Sequence, residues 1–146
     1  MGHWARIDDN NIVQEVIVIK EAELDTGNWG DKSKWIKTSY NTKDGKHYVP
    51  DANQNYTVES TDQSKALRYR YAGIGMKYDA VNDVFHDLTP PNPDWSSWTF
   101  DTTTWSWKPP IPMPEITKEE FKYWVWDEDV YQADTGDPKT KGWVAL

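Results

Sequence analysis

The chain of 146 residues contains no cysteine, which excludes a disulfide framework, a thiolate metal site and a cysteine nucleophile. The usual core residues are scarce: four Leu, eight Ile, ten Val and three Phe are together only 25 of 146 residues. Combined with a formal net charge of −8, so small a share of Leu, Ile, Val and Phe ordinarily marks disorder. Bases are outnumbered, with 16 Lys and Arg against 24 Asp and Glu. No basic excess is left to neutralise phosphates, so neither nucleic acid nor anionic membrane is an expected partner. No run approaches the roughly 18 apolar residues of a membrane span. The opening MGHWARIDDNN has neither a cationic leader nor an apolar stretch, so a protein without a secretion signal is expected.

What the chain does have is aromatic. Ten Trp and eight Tyr each bring a large apolar body with one polar atom, and can bury the area that absent leucines would have supplied. The expected core is one of indoles and phenols.

The pattern predicts an all-β fold, a small array of antiparallel hairpins with Pro-rich connectors and at most one or two short helical turns. In HWARIDDNNIVQEVIVI, residues 3–19, two apolar stretches flank Asp8-Asp9-Asn10-Asn11. Such side chains bond their own backbone and tolerate left-handed dihedrals, so a hairpin is predicted there. Its β-branched second arm, Val13 to Ile19, is the expected most buried strand. KEAEL at 20–24 and TKEEF at 117–121, the latter behind Thr117 as N-cap, each suit one helical turn. WIKTSY, the turn NTKDGK and the following HYV read as a second hairpin, and the polar stretch 50–64 as a long surface loop.

Beyond Ala66 one pattern recurs: an aromatic strand, an Asp, a few turn residues, a second strand. It appears in MKYDAVNDVFH at Asp79, WTFDTTTWSW at Asp101 and YWVWDEDVYQ at Asp127. An Asp carboxylate accepts from backbone N–H groups two residues on and so initiates a tight turn. Two Pro-rich strings, 89–95 and 108–115, should be stiff connectors because proline cannot donate to a sheet ladder. The second is the expected boundary, dividing a β-hairpin domain at 1–114 from an acidic hairpin or extension at 115–146 that reaches a neighbouring chain.

Chemistry-bearing patterns are thin. His3, His47 and His86 show no spacing that seats a metal on one face. The acids from Asp127 to Asp137 lack the acid–Gly–Glu frame of a calcium loop. Gly73-Ile74-Gly75 precedes Met76-Lys77-Tyr78 and not a helix, so it reads as a bulge or close backbone crossing, not as a dinucleotide loop. No serine lies in a nucleophile elbow. The expectation is a protein that is no enzyme, with no catalytic residues, cofactor or metal.

The tryptophans remain. Trp105 and Trp107, like Trp124 and Trp126, alternate so that each pair shares one face of a strand. Core packing is the first use of such rings; those left exposed suit glycan stacking or protein association, since Trp and Tyr are enriched at interface centres. Trp4, Trp29 and Trp143 lie outside the repeated hairpins and are the candidate partner-binding anchors.

Three strings carry a family likeness: WIKTSYNTKDGKHYVP, KALRYRYAGIGMKYDAVNDVFHD and PPNPDWSSWTFDTTTWSWKPPIPMP. The order and spacing of Tyr71-Ala72-Gly73-Ile74-Gly75, Tyr78-Asp79, Trp98, Trp105 and the prolines from Pro109 to Pro114 resemble those of small Trp-rich virion structural proteins of marine bacteriophages, especially cyanophages. The likeness runs from about residue 3 to 126 and leaves out the polar segment 50–65 and the acidic tail. It implies location in a virion assembled in the host cytoplasm, and a structural role on the head surface or in the tail. A decoration protein on the capsid fits best: it is small, binds a repeating shell in many copies, and is kept off packaged DNA by its acidity. Tail fibres more often show long repeats or coiled-coil heptads. The expected partner is the major capsid protein or another virion protein, with self-association and a glycan as further candidates; the alternative role is a tail- or fibre-associated carbohydrate-binding adhesin.

Overall fold

A computed structural model describes all residues, Met1–Leu146. The fold is all-β: small antiparallel sheets with two short α-helices. No helix is long and apolar enough to cross a membrane. The chain forms two compact units, Met1–Leu88 and Thr89–Leu146. The division falls at the first Pro-rich string, where the sequence placed it at the second; Pro109 to Pro114 is instead an extended connector inside the second unit.

The first unit is organised by a three-stranded sheet in the order β2-β1-β3, with β1 Gly2–Ile7, β2 Val13–Ile19 and β3 Trp35–Thr38. The β1–β2 turn follows the Asp rule: Asp8 Oδ1 accepts from the N–H of Asn10 (2.8 Å) and of Ile12 (3.0 Å), and Asn11 takes a left-handed φ of 63°. β1, not β2, is the most buried strand, because it is central and covered on both faces. Ala5 and Ile7 pack with Val13, Ala72, Tyr78 and Phe85, while Trp4 packs with Ile19, Leu24 and Trp35. β2 lies at the sheet edge and exposes Val18. Leu24 comes from α1, Glu21–Asp25, the helical turn expected at KEAEL.

β4 Thr42–Lys43 and β5 Lys46–Pro50 form the predicted Asp-Gly hairpin. Asp44 and Gly45 have φ of 50° and 80°, both positive as a type I′ turn requires. Its first arm is not WIKTSY: Trp35–Thr38 pairs with β1. The polar stretch 50–64 is not all loop either, for β6, Tyr56–Glu59, pairs with β5. Asp51 makes that turn, accepting from the N–H of Asn53 and Asn55, so its chemistry was the familiar one hidden in polar composition. β7 Lys77–Asp79 and β8 Val84–His86 form the hairpin predicted at Asp79, whose Oδ1 accepts from Val81 and Asn82. The Gly73–Gly75 segment runs close to β2: Gly75, at φ 90°, donates to the Val13 carbonyl, and the Met76 carbonyl accepts from Val13.

In the second unit β9 Thr99–Asp101 and β10 Ser106–Lys108 form the Asp101 hairpin. Trp105, at φ 51°, sits in the turn and not in the strand, so strict alternation with Trp107 fails. Both rings nevertheless reach Phe100, at 6.1 and 5.4 Å. β11 Trp124–Trp126 pairs with β12 Trp143–Ala145, placing Trp126 opposite Trp143. The predicted hairpin at Asp127 is absent. Asp127 instead caps α2, Glu128–Ala133, by accepting from the Val130 N–H at 3.1 Å, and Glu128 and Asp129 favour the helix in its first turn. At TKEEF the Thr117 hydroxyl does accept from the Glu120 N–H (3.0 Å), yet no helix follows.

Candidate functional site

Of the three candidate anchors, the structure exposes one. Trp4 is 7% exposed and belongs to the core beside Ile19, Leu24 and Trp35, its Nε1–H buried without an acceptor. A ring placed there serves packing and offers no face to a partner. Trp143 is half-buried, packed on Trp126 (5.3 Å) and Trp98 (6.3 Å), with Nε1 donating to the Ile111 carbonyl at 2.7 Å. It too is structural. Trp29 is 43% exposed; it lies between Gly27 and Gly30, both at positive φ, and rests edge-on against Trp35 at 6.4 Å. Trp35 Nε1 donates to the Trp29 carbonyl (3.0 Å), which fixes the loop that presents the ring.

A second surface was not foreseen: the β5–β6 arm. All of β6 is exposed, and β5 alone pairs with it, so no strand covers its outer edge, although the Thr57 N–H turns back to the Asn55 carbonyl at 2.9 Å. Val49 and Val58 face each other across the pair, and beyond a bulge at Val49/Pro50 Tyr56 stands opposite Pro50. Val49, Val58 and Tyr56 are exposed. Val49 and Val58 line a shallow groove of about 330 Å³ together with His47, Ser60 and Lys65. β6 itself carries neither Lys nor Pro, residues that commonly guard an edge. The sequence signal was faint, an alternation of two apolar residues in a polar stretch.

The second unit holds a carboxylate hub that sequence reasoning also missed. Glu128 Oε1 accepts from the Ser97 N–H (2.7 Å), Ser96 Oγ (3.1 Å) and Gln132 Nε2 (3.1 Å); Oε2 accepts from Ser97 Oγ (2.6 Å) and Trp126 Nε1 (2.8 Å). Burial acts to raise its pKa, but the donors of Ser97, Trp126 and Gln132 outweigh it and hold the group at about 2. With its lone pairs occupied and its proton held off, Glu128 is a fixed anion that ties segment 96–97 to β11 and α2, not an acid or base ready for catalysis. Asp134 does similar work: its carboxylate accepts from the N–H groups of Gly136, Thr140 and Lys141, which lower its pKa to about 2. The acids of this tail therefore organise backbone.

The histidines are dispersed. His3 Nδ1 meets the Tyr71 hydroxyl at 2.9 Å, His47 Nδ1 meets Ser60 Oγ at 2.6 Å, and His86 Nδ1 lies 2.9 Å from the Asp87 carbonyl. No three His, Asp or Glu side chains converge in a metal-binding arrangement. The Trp29 loop and the β5–β6 arm are thus two surfaces open to a partner. No family model, no curated protein and no solved structure matches this chain.

Proposed function

We propose that this protein is a non-enzymatic structural component of a bacteriophage virion that decorates the capsid, adding its β6 edge to a shell subunit. The likeness of its Trp- and Pro-rich motifs to virion proteins supports the setting. The observation that carries the mode of binding is the coincidence, on one arm, of a strand edge that no other strand covers with the exposed side chains of Val49, Tyr56 and Val58. Edge pairing gives directional main-chain affinity without a deep cavity, and apolar side chains on the ribbon face add burial when the partner strand arrives. Trp29 is the aromatic anchor on the same unit, since large rigid rings lose little entropy on docking.

Co-sedimentation with empty phage heads tests the reading. Val58→Lys charges an exposed position and leaves the core intact; it should weaken shell association by about tenfold or more. Association that is indifferent to Val58→Lys and to Trp29→Ala would exclude this surface. Dimerisation of the free protein abolished by Val58→Lys would assign the edge to a second copy and not to the shell.

A further inference from the structure

We propose that the concavity beside Tyr40 binds an acidic saccharide. Its volume is about 430 Å³, within the range of small-ligand sites. Residues 1–3 at the start of β1, residues 37–40 at and just beyond the end of β3, and the segment 64–67 bound it.

Three features on the page converge. The first is a presented ring. Tyr40 is 56% exposed, yet its ring is held in place, stacked on His3 (5.9 Å, 18°) and edge-on to Tyr71 (5.5 Å, 88°). The His3–Tyr71 hydrogen bond locks the two rings that support it. An aromatic face held open to solvent is what the C–H face of a sugar ring packs against.

The second is pinned walls. Thr42 Oγ1 donates to the Lys65 carbonyl (3.1 Å), Arg68 Nε to the Lys37 carbonyl (2.7 Å), and the Ala72 N–H to Thr38 Oγ1 (3.0 Å). Each bond ties one wall to a different strand or segment, so little ordering remains to be done when a ligand enters.

The third is charge. In a chain with 24 acids, no Asp or Glu lines this concavity, while Lys37, Lys65 and His3 do. The Lys37 ammonium is engaged over the Trp4 ring at 5.9 Å, so the cation left for a ligand is the exposed Lys65, which has Asp62 as its acidic neighbour. The hydroxyls of Ser39 and Ser64 complete a polar rim. A ligand that offers a ring face, hydroxyls and a carboxylate or sulfate meets Tyr40, the serine hydroxyls and the Lys65 ammonium, whereas a neutral apolar molecule leaves that ammonium unanswered.

The concavity shares only Lys65 with the groove along Val49 and Val58, so the proposal stands or falls separately from the shell-binding reading. Calorimetric titration of the full chain with trigalacturonate, a sulfated chondroitin disaccharide, neutral maltotriose and sodium sulfate tests it. At least one acidic saccharide should bind saturably, more weakly as NaCl rises, with no saturable response to maltotriose. Tyr40→Ala should weaken binding about tenfold or more and Lys65→Gln several-fold, while Tyr40→Phe, which keeps the ring, and Val58→Lys, which alters only the β6 edge, should bind as the parent does. Both Tyr40 and Lys65 are exposed, so these variants keep the fold, and unchanged melting verifies it. Failure of both acidic saccharides to bind, binding that survives Tyr40→Ala and Lys65→Gln, equal binding of maltotriose, or full competition by sulfate at the same concentration would each overturn the proposal.

Discussion

The two units reach stability by different chemistry. In the first, β1 is buried on both faces by small and branched side chains together with Tyr78, Phe85, Trp4 and Trp35. In the second, Trp126 is the one buried aromatic side chain, and Pro90 is the only other side chain buried there. It sits among Trp98, Trp143 and Tyr131, and its N–H is bonded to a carboxylate that also holds Ser96, Ser97 and Gln132. One unit therefore depends on area removed from water, which is spread over many residues. The other depends on a few rings and one anion, which concentrates its stability in few side chains and makes it sensitive to pH.

The largest expected effects set the two kinds of core side by side. Trp126→Ala and Phe85→Ala should each destabilise their own unit by about 3–5 kcal/mol. Hydrogen exchange would read this as faster exchange in β11 and β12 for the first variant and in β7 and β8 for the second. Equal loss of protection in both units from either substitution would show that they unfold as one body. Glu128→Gln comes next. Loss of its charge-assisted bonds should lower the stability of residues 89–146 by about 1–3 kcal/mol.

The same residue sets a pH window. Its folded pKa is depressed, from 4.5 to about 2, so its contribution is fully present above pH 4.5 and is lost as pH falls through that range toward 2. Trp fluorescence followed from pH 5 to pH 2 should show acid weakening that is smaller in Glu128→Gln. Gly142→Ala is a finer probe of the indole pack. A Cβ there would stand 2.4 Å from the Trp126 ring, and forcing the ring aside should cost about 1–3 kcal/mol, measured by thermal melting. The smallest effect is at Trp29: Trp29→Ala should change stability by less than about 1 kcal/mol because the ring is largely exposed, against about 3–5 for Trp4→Ala. A large loss at Trp29 would move it from the surface to the core.

Legibility in the sequence followed locality. The turns at Asp8, Asp79 and Asp101 could be read because the aspartate bonds N–H groups within four residues of itself. The Asp44–Gly45 hairpin could be read for the same reason. Asp127 obeyed its local chemistry too, since accepting an N–H three residues on caps a helix as readily as it starts a turn. β6 escaped because Tyr56 and Val58 lie exposed in a polar stretch, without the buried alternation that marks most strands. Glu128 escaped because its donors at Ser96 and Ser97 lie more than thirty residues away.

Composition and short-range pattern alone established that this chain is an aromatic-rich β protein with Asp-led turns, because those features rest on side chains acting on their own backbone. Tertiary structure alone decided that β3 joins β1, that Trp4 is core and Trp29 surface, and that Tyr40 faces a basic concavity. Each of those outcomes depends on contacts between distant segments, where the depth of a ring is set by what the chain folds over it and not by its neighbours in sequence.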